Sequence, residues 1–274
     1  MTFSIVARSD DGTQLGVAVA SKFLAVGAAV PAVQVGAGAV ATQAMANLSY
    51  RPRGLELLST GLGAQEVLDQ LINSDPHAQD RQASIVDHNG NSASFTGTKC
   101  YDWAGGRTGF GYAIAGNILA GEQVVIDIEK SWRNSADKPF TERLLAALLA
   151  GDLVGGDKRG RQSAAVLVAS KNGGYGGESD IEVDLRVDDH PDPVNELIRL
   201  FGIHQLLFGK PVDTVPLEGE YATRLRRVLD QLGWTNPDLE VALNECAGVE
   251  NLEERMLPGR LDLVVLEYLE SRIS

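Results

Sequence analysis

MTFSIVARSDDGTQLGVAVASK, residues 1–22, reads as a strand, a tight turn and a second strand. Thr2 to Arg8 alternates polar and apolar residues in part, and Ser9-Asp10-Asp11-Gly12 has the small, polar and glycine chemistry of a hairpin turn. Leu15 to Ala20 then continues as a strand of small residues that ends at Ser21-Lys22. Thr2 follows the initiator Met, and a residue this small permits the Met to be trimmed. Trimming would leave a hydroxyl and a free α-amine on one residue. An amine with a pKa of about 8 can act as the base that a serine nucleophile borrows from a histidine.

Further along, Val30 to Thr42 is again β-rich, with glycines at bulges or close backbone approaches. Its Gly36-Ala-Gly38-Ala-Val-Ala41 matches a loose dinucleotide-binding pattern. That reading is set aside, because the helix such a pattern must open would run into Arg51-Pro52 within a few residues. Gly54 to Thr60 and Gly63 to Asn73 carry apolar residues at helical spacing. Arg81 to His88, the Asn89-Gly90 turn and Ser92 to Gly97 predict a second hairpin. Tyr112 to Asn117 predicts a strand, Glu122 to Trp132 and Phe140 to Ala150 two helices, and Ser163 to Ala169 and Ile181 to Val187 two more strands.

Hairpins and helix pairs therefore alternate through about 190 residues. Two stacked sheets with helices on both outer faces, a four-layer αββα sandwich of the α+β class, satisfy that order. A doubly wound sheet would need one helix after each strand. After Pro191 the character changes. Val194 to Phe208 is helical, Lys210 to Pro216 is a Pro-containing linker, and Glu218 to Leu232, Asp238 to Cys246 and Leu261 to Arg272 read as a small all-helical unit. The expected domains are residues 1–212 and 213–274.

Composition narrows the function. A net charge of −13 over 274 residues argues against nucleic-acid partners and anionic membrane surfaces. No basic segment precedes an apolar run at the N-terminus and no stretch is apolar enough to span a bilayer, so a cytoplasmic protein is expected. Cys100 and Cys246 are far apart and form no CxxC, which suggests two reduced thiols. No GxSxG, P-loop or HExxH pattern occurs, and no cofactor is expected.

Five stretches, in order, carry a resemblance. They are Thr2-Phe-Ser-Ile-Val-Ala; Gly16-Val-Ala-Val-Ala-Ser21-Lys22-Phe-Leu-Ala-Val-Gly27; Ala115-Gly116-Asn117-Ile-Leu; Gly155-Gly-Asp157-Lys-Arg-Gly-Arg161-Gln-Ser163; and Arg186-Val-Asp188-Asp189-His190-Pro-Asp-Pro193. Together they are similar to the bacterial family catalogued as domain of unknown function 1028, over residues 1 to about 205. That family resembles the N-terminal-nucleophile (Ntn) hydrolases, αββα amidohydrolases that include the proteasome β subunits. The C-terminal helical unit resembles a peptidoglycan-binding domain.

The resemblance implies that Thr2 attacks an amide carbonyl. Lys22, at the end of the second strand, would then lower the hydroxyl pKa and keep the amine neutral, or is simply a surface lysine. Asn117, at a strand end, would supply an oxyanion-hole amide, or cap the following turn. Lys158, Arg159 and Arg161 place three cations in four positions of an acidic protein. They would hold a substrate carboxylate, or pair with Asp188 and Asp189. Asp188-Asp189-His190 with Asp192 reads as a structural turn rather than a metal site, and no metal is expected.

Two functions remain. One is an Ntn-type amidohydrolase acting on a small amide or peptide. The other is a non-catalytic binding or assembly protein on the same fold, with the helical unit as its contact module. A homodimer is the expected assembly.

Overall fold

The computed structural model describes residues 2–273. In chain order they form β1 (Thr2–Arg8), β2 (Gln14–Ser21), a short α1 (Val26–Ala29), β3 (Pro31–Gln34), β4 (Gly38–Ala44), α2 (Tyr50–Ser59), α3 (Ala64–Asn73), β5 (Arg81–Asp87), β6 (Ser92–Thr96), β7 (Gly105–Gly109) and β8 (Tyr112–Asn117). There follow α4 (Gln123–Asn134), α5 (Phe140–Leu153), β9 (Ser163–Ser170), β10 (Ile181–Val187) and α6 (Pro193–Phe208). Within α6 the chain divides into compact units Met1–Ile198 and Arg199–Ser274. The division falls ahead of the expected boundary at 212/213, because the break in contacts lies inside a helix and the Pro-containing linker lies within the second unit.

In the first unit six strands form one antiparallel sheet, ordered β10-β9-β2-β1-β8-β7, and four form a second, ordered β3-β4-β5-β6. The opening hairpin is the centre of the larger sheet. Its turn is held as expected, with Gly12 at φ 78° and Ser9 Oγ donating to Asp11 Oδ1 at 2.6 Å. Since side chains alternate across a strand, Val6, Val17 and Val19 face the smaller sheet and meet Val33, Ala39, Ala41 and Val86. Helices α2 and α3 cover the outer face of the smaller sheet through Tyr50, Leu58, Val67, Leu68 and Leu71, packed on Val40, Ala83 and Ile85. Helices α4 and α5 cover the larger sheet. Gly16 lets α5 close on β2, since a Cβ there would lie 2.8 Å from Leu144 and 3.0 Å from Phe140. The unit thus has four layers, helices outside two sheets.

The expected β-rich run at 30–42 is two strands and a turn, with Gly36 at φ 76°. Strand β7 was not expected, because Gly-Gly-Arg-Thr-Gly has no apolar alternation and takes its strand geometry from pairing with β8. Helix α2 starts at Tyr50, ahead of the expected Gly54, with Pro52 tolerated in its first turn.

The second unit holds α7 (Gly219–Gln231), α8 (Leu239–Glu250) and α9 (Leu263–Ser271) around Leu225, Val228, Leu229, Leu243, Cys246, Val265 and Leu269. It is not purely helical as expected. Strands β11 (Thr214–Pro216) and β12 (Arg260–Asp262) pair over three residues, too short a ladder for periodicity to reveal. Among the described residues no helix is long and apolar enough to cross a membrane.

Candidate functional site

The layer between the two sheets is apolar at one end and polar at the other. Thr2 and Ser4 on β1 follow the same inward alternation as Val6, and Ser21 continues that of Val17 and Val19. Gln43 on β4, Gln82 on β5 and Asn117 on β8 occupy the equivalent inward positions at this end. All are buried, with Gln82 0%, Asn117 1% and Thr2 6% exposed. Buried amides and hydroxyls need partners, and these satisfy one another. Gln82 Oε1 accepts from Gln43 Nε2 at 2.7 Å and from Asn117 Nδ2 at 2.9 Å. Gln82 Nε2 donates to the Gly116 carbonyl at 2.7 Å, and Ser4 Oγ donates to Gln43 Oε1 at 2.8 Å.

Thr2 lies within this network. It pairs with Asn117 in the β1–β8 register, and its Oγ1 lies 3.1 Å from Ser21 Oγ. Its carbonyl accepts a longer hydrogen bond, 3.4 Å, from Gln43 Nε2. The expected grouping of Thr2 with Asn117 is therefore present. Met1, whose removal would free the Thr2 amine, lies outside the described residues.

Lys22 follows Ser21 at the end of β2. It is exposed, and its Nζ donates to the Arg161 carbonyl at 3.2 Å. Its backbone N–H donates to Asp157 Oδ2 at 2.7 Å, which ties the strand end to the 157–161 loop. The three expected carboxylate-binding cations also separate. Arg159 pairs with the buried Asp157 at 3.2 Å. Arg161 Nε lies 2.9 Å from both oxygens of Asp152, near the C-terminus of α5, and that hydrogen bond raises the guanidinium pKa. The two arginines thus neutralise Asp157 and Asp152. Lys158 Nζ donates to the Asp102 carbonyl at 3.5 Å, while its N–H donates to the Ile118 carbonyl.

The 188–192 segment forms a structural turn. His190 N donates to the Gln162 carbonyl at 2.7 Å, and His190 Nδ1 accepts from Asp192 N at 3.0 Å. No group of three His, Cys, Asp or Glu arranged for a metal occurs among the described residues. Sequence reasoning missed Gln43 and Gln82. Their signal was a glutamine at an inward position in each of two otherwise small or apolar strands.

A family model described as "Family of unknown function (DUF1028)" matches residues 2–197, and one described as "Putative peptidoglycan binding domain" matches residues 206–269. The crystal structure of protein SPO2555 from Silicibacter pomeroyi, which carries the same family name, is 30% identical with a TM-score of 0.68. That match covers 81% of this chain and 88% of the other. Anbu (ancestral beta-subunit) from Yersinia bercovieri is 13% identical with a TM-score of 0.34, over 73% of this chain and 93% of its own. No curated protein matches.

Proposed function

Because the chain belongs to the family of unknown function DUF1028, its activity has to be argued from its site, and we propose an Ntn-type amidohydrolase that cleaves a small amide or peptide through Thr2. The observation that carries this reading is the Thr2 hydroxyl at the start of the central strand, flanked by Ser21 and Asn117. The layer order of helices, two sheets and helices agrees with it.

In the proposed reaction Thr2 Oγ1 attacks the amide carbon while its own α-amine, freed of Met1, takes the hydroxyl proton. The proton passes to the leaving amine as the C–N bond breaks, and water then hydrolyses the Thr2 ester. Asn117 Nδ2 carries two hydrogens. One is committed to Gln82, and the other is the proposed donor to the oxyanion, a contribution worth roughly 10²-fold or more. Lys22 has no part in this version, since its ammonium is held on the Arg161 carbonyl.

Intact mass spectrometry of protein from its native host, with an amidase screen of wild type and Thr2→Ala, tests the reading. Loss of Met1 and activity that vanishes in Thr2→Ala are expected. A retained Met1 with equal activity in both proteins would overturn it.

Three observations favour a second reading. Thr2 is only 6% exposed, its hydroxyl is engaged by Ser21, and the Lys22 ammonium is held on the Arg161 carbonyl. In this reading the chain is a non-catalytic binding or assembly protein whose C-terminal domain, residues 213–274, makes the contact. Binding to a partner that survives Thr2→Ala and is lost on deleting residues 206–274 would favour it. A homodimer is expected in both readings, checked by sedimentation.

A further inference from the structure

The 157–161 loop sorts its positive charges. Arg159 and Arg161 are matched by the buried carboxylates of Asp157 and Asp152. Lys22 and Lys158 are both exposed, and among the described residues neither has a carboxylate partner, only the carbonyls of Arg161 and Asp102. Both are tied by their backbones to the strands that flank Thr2. Lys22 directly follows Ser21, and Lys158 N donates to the carbonyl of Ile118, the residue after Asn117. Asp157 joins the two, because it accepts the Lys22 N–H and precedes Lys158. Two uncompensated ammonium groups therefore bracket the Thr2 end of the sandwich in a chain of net charge −13.

Loops after β2, β4 and β6 expose large apolar side chains. Phe23 and Leu24, directly after Lys22, are 54% and 60% exposed. Tyr101 is 73% exposed and accepts the Ile118 N–H through its carbonyl. Met45, two residues past Gln43, is 65% exposed. Large apolar groups beside unmatched cations at one end of a fold suit a ligand with an apolar body and an anionic end.

From this juxtaposition we infer that the site takes N-acyl amino acids, or peptides ending in a free carboxylate. Lys22 and Lys158 hold the carboxylate of the leaving amino acid, and the exposed apolar groups take up the acyl part. The inference rests on Thr2 being the nucleophile. The amide C–N bond breaks, the amino acid departs with a proton on its nitrogen, and water releases the acyl group from Thr2. Of the three cations expected to bind a carboxylate it keeps Lys158, and it puts Lys22 in place of Arg159 and Arg161.

The test compares two β-lactone probes with the same alkyl chain, one bearing a carboxylate and the other its methyl ester, by following acylation of Thr2 with intact and peptide mass spectrometry. The carboxylate probe should label wild-type protein roughly ten-fold faster or more, and that ratio should shrink as salt is raised. In Lys22→Gln/Lys158→Gln the ratio should fall to about one while the ester probe keeps its rate. Both positions are exposed, so the double variant should fold, and the ester rate serves as its control. Equal labelling by both probes in wild type, or an unchanged ratio in the double variant, would overturn the inference and leave the Thr2 reading standing. Failure of either probe to label Thr2 in wild type would remove the nucleophile and the inference with it.

Discussion

Gln82 Oε1 accepts the Asn117 Nδ2 hydrogen bond at 2.9 Å between the two sheets, so an amide on one sheet is aimed by an amide on the other. Gln43 shares the same acceptor. The orientation of Asn117 is thus set by residues that sequence inspection passes over, and it depends on the sheets staying in register.

Replacing Gln82 by Leu would leave the Asn117 and Gln43 amides and the Gly116 carbonyl without their Gln82 partner in a buried layer. Each unsatisfied buried group costs about 1–3 kcal/mol. We expect Gln82→Leu to lose roughly 3–5 kcal/mol, read as a lower urea midpoint with little change in slope.

Asp157 accepts the backbone N–H groups of Lys22 and Arg159 at 2.7 and 2.9 Å. In Asp157→Ala both lose their acceptor, and a cost of about 2 kcal/mol follows. Hydrogen exchange should quicken at Lys22 and Arg159 and stay unchanged in α3, on the far side of the smaller sheet. Equal exchange at all these amides would show that the loop is held by other contacts.

Acid sensitivity should centre on Asp75. Burial alone would raise its pKa, but hydrogen bonds from Asn47, Arg81, the His77 N–H and Tyr50 outweigh burial and hold the carboxyl well below the usual range. A carboxyl depressed in the folded state contributes stability above its unfolded pKa, about 4, and that contribution is lost as the pH falls toward the folded value. Asp75→Asn should therefore be about 2–3 kcal/mol less stable at pH 7. The gap should narrow below pH of about 4, and urea unfolding at pH 7 and pH 3 would show this.

The two thiols should react unequally. Burial pushes the Cys246 pKa up to about 11, and the residue is only 1% exposed. Cys100 is half-buried, and burial also raises its pKa. Since the thiolate is the reactive form, iodoacetamide at pH 8 should modify Cys100 first and reach Cys246 only on unfolding. Peptide mass spectrometry of briefly treated protein would resolve the order.

Much of the first unit was legible because its signals are local. The Ser9-Asp10-Asp11-Gly12 and Asn89-Gly90 turns and the apolar spacing of Phe140–Leu153 each specify an element within a dozen residues. Strand β7 was not legible, since its conformation comes from β8 and not from its own composition. At the site, Thr2 and Asn117 could be named as strand-end residues. The position of the Lys22 ammonium could not, because its acceptor is 139 positions away. The pairing of Arg161 with Asp152 was hidden for a related reason: it depends on where α5 ends relative to the following loop. Gln43 and Gln82 had a visible pattern, but their meaning required knowing which strands stack.

The strand order also has a consequence in time. Thr2 meets Ser21 as soon as the first hairpin closes, whereas Asn117 and then the 157–161 loop emerge from the ribosome only much later. Pairings this distant in sequence are slow to form, and domains generally fold as units during synthesis. Thr2 thus keeps one strand edge unpaired until β8 has been made and adds to its other side.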